Sequence, residues 1–541
     1  MPTRIALAFV LVLTGSSEQA GQASLPDRVR AAADRITASQ ISRDLDFLAS
    51  DELKGRNTPS PGFDTAAEYV ADRLRRAGLK PAGDNGTFFQ HYTLREMTAD
   101  TDKSFIDADG TRLHFGEGFV LRSFAGPLTG TFKSVYVGHG WTIPARGIDP
   151  YGDLDVRGKI LIAHGPRALP KDVQIQQIGR ITPGATSVFG EAEKRGAAGI
   201  IFLPQASALA NWETMRRQNL RMRELEPRVP SAYAAQPVTA VLLSRAAADV
   251  MLGGEPNAAD LMAKGEARDY PASFELSKSI TVSIEAATNI AHRPYNVVAL
   301  LEGTDPVLKS EHITVEAHLD GAVGSRTVEG DAIYNSADDN ASGSAGTLSI
   351  AERMTAVPPK RSIIFIWDSG EEQGLWGTRH FVANPPVPLD RIVAHFNIDM
   401  IGATQAPGSP DATDARVAAP NEVFLIGPGA LSAGADALLD RVNRAYLNMA
   451  FNRTYDRPES EFFYPRTDAG PFLERGILTI GFTTGIHNRY HLPADEARFL
   501  DPKKIESIAR TVFASVWMLA DAAECPAIDK PIPATVPRYG R

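Results

Sequence analysis

Cysteine is nearly absent from this chain. Cys525 is the only cysteine among 541 residues, so no disulfide bond can form within the chain. Stability must therefore come from packing rather than from covalent cross-links. Cys525 lies near the C-terminus, and no Gly-x-Ser-x-Gly segment joins a predicted strand to a predicted helix. The sequence thus offers no candidate for a nucleophilic thiol or hydroxyl group.

The chain also lacks a large net charge of either sign. The formal net charge is −9 and 22% of the residues are charged, which favours neither a nucleic-acid partner nor binding to an anionic membrane. No internal repeat or low-complexity tract stands out. With 43% hydrophobic residues at this length, we expect a globular protein with a large core and about two to four domains.

The apolar run near the N-terminus is too short to span a membrane. It extends from Ile5 to Leu13, follows Arg4, and precedes a small and polar stretch that ends near Ala20 or Ala23. This layout is typical of a secretory signal peptide, and a buried N-terminal helix is the alternative. We expect residues 1–23 to direct export to the periplasm or the medium.

The remaining chain divides into segments of different character. Residues 24–122 begin with two predicted helices and then become β-rich, and residues 123–272 contain short strands with many turn residues, as expected of an inserted domain. Residues 273–525 alternate strands with helices, and 526–541 form a tail. The alternation predicts an α/β fold with a mostly parallel central sheet flanked by helices, plus a β-rich insert. The sheet strands are predicted at Asn296–Leu301, Ile313–Ala317, Ser362–Trp367, Ile392–Ile398, Val423–Ile426 and Ile477–Phe482.

Five residues with metal-binding side chains lie at the ends of these strands or in the loops that follow. Sites in open α/β sheets form beyond the carboxyl ends of the strands, so we expect the five to meet at one edge of the sheet. Mixed histidine and carboxylate ligands suit zinc, and the same set could hold cobalt or manganese. The residues are His318, Asp339, Glu372, Asp399 and His491.

Neighbouring acidic residues indicate a division of roles. Glu371 and Glu372 are adjacent after an apolar strand, where paired carboxylates are costly unless metal or protons neutralise them. We expect Glu372 to bind metal and Glu371 to face a water molecule and move its proton. Asp320 faces the same way as His318 and is assigned a supporting role. A carboxylate at Asp339 that offers one oxygen to each of two cations would make a paired-metal site.

The order of these motifs resembles that of the M28 metallopeptidases, a family of zinc-dependent exopeptidases. The resemblance implies a zinc-exopeptidase fold over most of the chain, and the insert resembles a protease-associated (PA) domain. The peptidase motifs are His318-Leu319-Asp320, Asp338-Asp339-Asn340-Ala341-Ser342-Gly343, Glu371-Glu372-Gln373-Gly374-Leu375, Ile398-Asp399-Met400 and Tyr490-His491-Leu492-Pro493-Ala494-Asp495, with Leu53-Lys54-Gly55-Arg56 and Tyr464-Pro465-Arg466-Thr467-Asp468. The PA-like motifs are Val137-Gly138-His139-Gly140, Gly158-Lys159 and Arg195-Gly196-Ala197-Ala198-Gly199.

Carried over by position, the resemblance implies two zinc ions per chain. One would be held by His318, Asp339 and Asp399. The other would be held by Glu372 and His491, with Asp339 bridging the two ions.

The resemblance also implies roles for residues that bind no metal. Glu371 would be the general base, and Tyr464, four residues before Asp468, matches a family tyrosine that hydrogen-bonds the tetrahedral oxyanion. The chain departs from the family pattern at Asp468-Ala469-Gly470, where many relatives have a histidine after the aspartate. It also lacks the cysteine pair that cross-links this loop in some members. Both departures concern the shape of the substrate pocket and leave the predicted ligands intact.

These observations predict an exported dizinc aminopeptidase with peptide substrates. A glutamate-carboxypeptidase-like exopeptidase of the same fold is an alternative; it would need arginines near the site, for which Arg326 is the obvious candidate. A glutaminyl-cyclase-like transferase and a catalytically inactive, receptor-like binding protein are further alternatives, although the complete ligand set favours an active peptidase. The oligomeric state is left open.

Overall fold

The computed structural model describes residues 25–539, apart from 166–167, 175–183, 219, 230–237, 256, 406–415 and 461. The signal peptide predicted at 1–23 lies outside the described residues. No helix in the described part of the chain is long and apolar enough to cross a membrane.

Strands and helices alternate along most of the chain. The strands are β1 (Lys80–Pro81), β2 (Phe89–His91), β3 (Thr93–Ala108), β4 (Thr111–His114), β5 (Phe119–Ser123), β6 (Leu128–Phe132), β7 (Ser134–Tyr136), β8 (Ile160–His164), β9 (Gly199–Leu203), β10 (Arg221–Glu226), β11 (Ala240–Leu243), β12 (Phe274–Glu275), β13 (Ile280–His292), β14 (Tyr295–Leu301), β15 (His312–Glu316), β16 (Ser362–Trp367), β17 (Ile392–Ile398), β18 (Glu422–Ile426), β19 (Ala450–Asn452) and β20 (Leu478–Thr483). The helices are α1 (Asp27–Ala33), α2 (Ala38–Leu48), α3 (Pro61–Ala77), α4 (Val188–Arg195), α5 (Ala206–Leu209), α6 (Trp212–Arg216), α7 (Arg245–Leu252), α8 (Leu261–Glu266), α9 (Gly343–Met354), α10 (Trp376–Ala383), α11 (Pro428–Leu431), α12 (Ala433–Ala445), α13 (Ala469–Glu474) and α14 (Pro502–Asp521).

Local sequence signals set the ends of the helices. Helix α3 begins after Ser60, whose hydroxyl accepts a hydrogen bond from the amide of Phe63, and has Pro61 in its first turn. It ends at Gly78, which adopts a left-handed conformation with φ of 85°.

The largest sheet contains the strands predicted in the second half of the chain. Its order is β1-β14-β16-β15-β17-β20-β18-β19, and β2 also pairs with β14. Strands β16, β15, β17 and β20 run parallel, which confirms the predicted parallel core, whereas β14 and β18 pair antiparallel on either side of it. Strands β16 and β17 have the predicted ends.

Helices cover both faces of this sheet because its strands are apolar on both sides. In β16, Ile363 and Phe365 pack into a cluster formed with α1, α2, α3, α9 and α14. Ile364 points to the opposite face, where it packs with Phe381 of α10 and Phe472 of α13. With both faces covered, the carboxyl ends of the strands remain as the place where loops can form a site.

Two smaller sheets take their strands from residues 93–292. One has the order β10-β3-β13-β6, with β4 paired to β3, and the other has the order β12-β7-β8-β9-β11-β5. These sheets therefore extend beyond the predicted insert of 123–272 on both sides. The domain bounds and the PA assignment stay predictions.

The chain leaves the large sheet after β2 and returns to it through β14. The two strands are antiparallel neighbours, with His91 opposite Tyr295. The pairing extends by one residue on each segment, since the amide of Tyr92 donates to the carbonyl oxygen of Pro294 at 3.0 Å. The two smaller sheets are thus joined to the large sheet through two adjacent chain segments.

Candidate metal centre

The carboxyl ends of the parallel strands bring the five predicted ligands together. His318 follows β15, Glu372 follows β16 and Asp399 directly follows β17. His491 comes from the loop after β20, and Asp339 from a turn over Ala337–Ser342 that leads into α9. Parallel pairing of these strands makes their ends neighbours, which is why ligands far apart in sequence can meet.

The turn that carries Asp339 is not a regular helix. Asp339 has φ of −107° and ψ of 85°, outside the helical region. Gly343 at the start of α9 lets this turn lie against β17, because a Cβ atom there would lie 2.3 Å from the carbonyl oxygen of Ile398. The absence of a side chain at Gly343 therefore permits this close approach.

Asp339 lies between the two histidines and uses a different oxygen for each. His318 Nε2 lies 3.1 Å from Asp339 Oδ1 and 3.5 Å from Asp399 Oδ1. His491 Nε2 lies 3.1 Å from Asp339 Oδ2 and 2.9 Å from Glu372 Oε2. The residues form two groups of three that share Asp339, and the ligand atoms of each group lie within 4.8 Å of one another.

The chemistry of these two groups fits zinc. Imidazole nitrogens and carboxylate oxygens are common zinc ligands. Among the described residues, Glu372 Oε1 and Asp399 Oδ1 are buried without a hydrogen-bond partner. Burial raises the pKa of Glu372 to about 7, and burial also raises the pKa of Asp399. A bound cation would offset the free-energy cost of burying these carboxylates, because it stabilises their charged form.

Further contacts orient the ligands. The Nδ1 atom of His318 lies 3.1 Å from the carbonyl oxygen of Asp320, so it donates there when Nε2 binds metal. The carboxylate of Asp320 accepts from the amide of Glu371 at 3.2 Å. Asp495 accepts from the amides of Asp338 and Asp339 at 3.0–3.2 Å. Asp320 thus supports both a ligand and the predicted base, in line with the supporting role expected for it.

A buried arginine contacts the backbone next to the candidate ligands. Arg56 is fully buried, and its guanidinium donates to the carbonyl oxygens of Leu48, Leu319, Asn335 and Ser336. Burial lowers the pKa of Arg56 to about 10, and nearby carboxylates oppose that shift. Arg56 therefore fixes the backbone beside His318 and Asp339 and also supplies positive charge. The sequence showed this arginine only as part of a motif, with no role.

Glu371, the predicted general base, lies beside the candidate ligands. It lines a depression together with Asp339, Asp399, Arg466 and Tyr490, next to both ligand groups. Burial raises the pKa of the Glu371 carboxyl well above its usual range, and the charges of neighbouring carboxylates add to the effect. A carboxyl with a raised pKa is suited to holding a transferred proton near neutral pH.

Tyr464 is the predicted oxyanion donor. Its hydroxyl donates to Glu474 Oε1 at 2.7 Å in this structure. Its role at the oxyanion stays a prediction.

Tyr490 is a site residue that sequence reasoning missed. Its ring stacks on the imidazole of His491, and its hydroxyl accepts a hydrogen bond from Arg466 Nη2 at 2.7 Å. Its position directly before a predicted ligand was the only available signal, and adjacency in sequence does not show where a ring points.

A second cluster of carboxylates lies buried near the site. Glu316, Asp368 and Asp468 offer oxygens within 4.8 Å of one another, and all three side chains are buried. Thr378 donates to Asp368 Oδ2 and lies in contact with Asp468 Oδ1, and Asn397 donates to Glu316 Oε2 at 2.7 Å. Burial raises the pKa values of Glu316 and Asp468 well above their usual range, and the charges of neighbouring carboxylates add to the effect.

Residues 296–516 match the family model described as peptidase family M28. This segment of the chain resembles peptidase family M28, and it contains all five candidate ligands and Glu371.

Individual proteins show the same similarity. An aminopeptidase of Pseudomonas aeruginosa (strain UCBPP-PA14) is 31% identical over 195 residues, which cover 35% of this chain and 31% of that protein. The leupeptin-inactivating enzyme 1 of Streptomyces exfoliatus is 28% identical over 143 residues, covering 25% of this chain and 30% of that enzyme. The chain therefore spans about a third of the length of these curated relatives.

A solved structure extends the comparison to the fold. The aminopeptidase from Aneurinibacillus sp. strain AM-1 aligns with 95% of this chain and 100% of its own, with a TM-score of 0.50 and 17% sequence identity. This likeness confirms the α/β fold class.

Proposed function

We propose that this protein is a dizinc aminopeptidase that hydrolyses the N-terminal peptide bond of peptides. The observation that carries the proposal is the sharing of Asp339 between two three-residue ligand groups, with one carboxylate oxygen directed to each histidine. Two cations joined by one carboxylate are the arrangement that paired-metal hydrolysis requires.

The residues of the chain divide the chemistry among them. Zinc ions bound by the two groups would lower the pKa of a water molecule from 15.7 to about 7 and polarise the scissile carbonyl. Glu371 accepts the proton of the attacking water and delivers it to the leaving amine. The hydrogen bond from the amide of Glu371 to Asp320 keeps this loop beside His318. Catalysis of this general-base type typically contributes about 10²–10⁴-fold.

A carboxypeptidase needs a cluster of arginines for the substrate carboxylate. Arg326, the candidate for that role, is not among the residues that line the depression, which include the single arginine Arg466.

A panel of substrates tests the reaction. The purified protein is incubated with free-amine peptides, with the same peptides N-acetylated, and with peptides ending in glutamate. We expect cleavage of the free-amine peptides from the N-terminus and no cleavage of the N-acetylated set. Exclusive cleavage of N-blocked or C-terminal-glutamate peptides would contradict the aminopeptidase assignment.

A matched variant tests the mechanism. Glu371→Gln keeps the size of the side chain and removes its ability to take a proton, so we expect kcat to fall by about 10²–10⁴-fold. Zinc content, measured by elemental analysis, should stay at two ions per chain. Wild-type kcat in this variant would overturn the role of Glu371.

A further inference from the structure

One of the smaller sheets contacts the loop that carries Glu371 and Glu372. Trp376, which follows this loop, forms a buried apolar cluster with Tyr92, with Leu94 of β3 and with Leu225 of β10. The two strands are antiparallel neighbours, with Leu225 opposite Leu94. The edge formed by β3 and β10, here called the β3–β10 ribbon, therefore packs directly against the peptidase segment.

Arg223 adds a polar contact from the ribbon to the residue after Glu372. Arg223 Nη1 donates to Gln373 Oε1 at 2.5 Å. The amide nitrogen of the same side chain, Gln373 Nε2, donates to the carbonyl oxygen of Thr58 at 2.8 Å. The side chain of Gln373 is thus held at both ends, once by the ribbon and once by the N-terminal part of the chain.

A second arginine makes a similar connection a few residues later. Arg379 of α10 donates through Nη1 to the carbonyl oxygen of Gly374 at 3.3 Å. Through Nη2 it donates to the carbonyl oxygen of Val229, which follows β10. The loop is therefore joined to the ribbon region on both sides of Gly374.

The loop depends on such contacts because its backbone is irregular. Gly370 and Gly374 have φ values of 75° and 141°, and Leu375 has φ of 54°, so residues 370–375 form neither a helix nor a strand. Glycines in these conformations leave the loop conformationally permissive. Side-chain contacts must then fix the positions of Glu371 and Glu372, and a displacement of about 1 Å at reacting groups can cost about 10²-fold in rate.

We propose that the β3–β10 ribbon positions the catalytic loop, with Arg223 acting through Gln373 as a positioning residue for Glu371 and Glu372. The catalytic part of this inference rests on the proposed function. Arg223 touches neither substrate nor metal ligands in this role; it sets where the loop lies. Its ion pair with Glu96 of β3 keeps the guanidinium on the ribbon and directed at Gln373.

Arg221 provides a matched control on the same strand. Residues two apart on a strand share a face, so Arg221 and Arg223 both point to the side of Glu96. Arg221 is about half exposed and pairs with Glu96 at 3.9 Å, which is an exposed ion pair of small energetic value. Arg221→Met therefore removes a charge from β10 without touching the loop.

Kinetics of five variants test the coupling. We expect Arg223→Met and Gln373→Met each to lower kcat by about 10-fold with little change in KM, since a misplaced loop slows chemistry more than binding. The double variant should be no slower than the slower single variant, because both changes remove the same hydrogen bond between Arg223 and Gln373. Arg223→Lys should recover part of the loss, and Arg221→Met should match the wild type. Wild-type kcat in Arg223→Met, or fully additive losses in the double variant, would overturn the proposal.

Hydrogen exchange provides a readout that needs no substrate. The amides of Gly374 and Leu375 donate to the carbonyl oxygen of Glu371 within the loop. We expect Arg223→Met to speed their exchange and Arg221→Met to leave it unchanged. If the protein cleaved no aminopeptidase substrate, the proposed function would fail while this measurement still decided whether Arg223 holds the loop. Unchanged exchange in Arg223→Met would contradict the positioning role.

Discussion

The ring of Tyr490 lies on the imidazole of its neighbour His491, with ring centroids 3.7 Å apart and an angle of 20° between the planes. His491 is the most exposed of the five ligands, with 39% of its side chain accessible. The hydrogen bond from Arg466 to the hydroxyl of Tyr490 holds the far end of the ring. Tyr490 therefore covers the histidine that is least enclosed by the fold.

Replacing Tyr490 should weaken metal binding through His491. Tyr490→Leu removes the stacked ring, and changes next to a ligand typically cost about 10–100-fold in metal affinity. Tyr490→Phe keeps the ring and loses only the hydroxyl, so it should stay close to the wild type. Competition for zinc against a chelator measures both. Equal affinities for Tyr490→Leu and the wild type would show that the stack does not fix His491.

Tyr464→Phe separates two roles for that hydroxyl. In the structure the hydroxyl donates to Glu474, so its loss should lower the free energy of unfolding by about 1 kcal/mol and leave kcat nearly unchanged. The role implied by family resemblance predicts instead a loss of kcat of about 10²-fold or more, as for other oxyanion donors. Thermal unfolding and steady-state kinetics on the same preparation distinguish the two.

Metal content should reveal that Asp339 serves both ions. Asp339→Asn removes a charge shared by both groups, so we expect fewer than one zinc per chain after gel filtration. Glu372→Gln affects one group only and should retain about one zinc, because His318, Asp339 and Asp399 are intact. Elemental analysis gives both values. Full occupancy of two ions in Asp339→Asn would rule out a bridging role.

Acid should destabilise the protein partly through His164. This histidine of β8 is buried, with Nε2 3.0 Å from the hydroxyl of Tyr136, and burial lowers its pKa to about 4. Between pH 4 and 6.5 the unfolded state binds more protons at this site, so this contribution to stability is present above pH 6.5 and is lost as the pH falls.

The variant His164→Gln removes that titration and keeps a side chain able to contact Tyr136. From pH 7 to 4.5 the free energy of unfolding of the wild type should fall by about 2 kcal/mol more than that of the variant. Urea unfolding at the two pH values measures the difference. Equal losses in both proteins would show that His164 is not responsible.

The strands were predictable, and candidate ligands could be named, because each leaves a local signal. Ser362–Trp367 and Ile392–Ile398 are unbroken apolar runs, as expected for parallel strands covered on both faces, and they form β16 and β17 with those ends. The ligands could be placed because parallel strands end at one edge of the sheet. Their pairing around Asp339 needed the family resemblance as well.

Contacts between distant segments left no such signal. Arg56 reaches carbonyl groups of residues 319, 335 and 336, and nothing in its own neighbourhood indicates that. Likewise, Glu316 and Asp368 are, in the sequence, only polar residues at the ends of strands. The folded sheet is what places them beside Asp468. The ribbon contact at Gln373 depends on how two sheets meet, which hydrophobic periodicity does not encode.

The attachment at His91 and Tyr295 has a mechanical consequence. Because these residues are paired neighbours, the chain between them leaves and re-enters the large sheet at one place. Away from this place, the packing of Trp376 on Leu94 and Leu225 and the hydrogen bond from Arg223 to Gln373 hold the smaller sheets against the peptidase segment. A change that loosens these contacts would alter the rate of turnover without altering a single metal ligand.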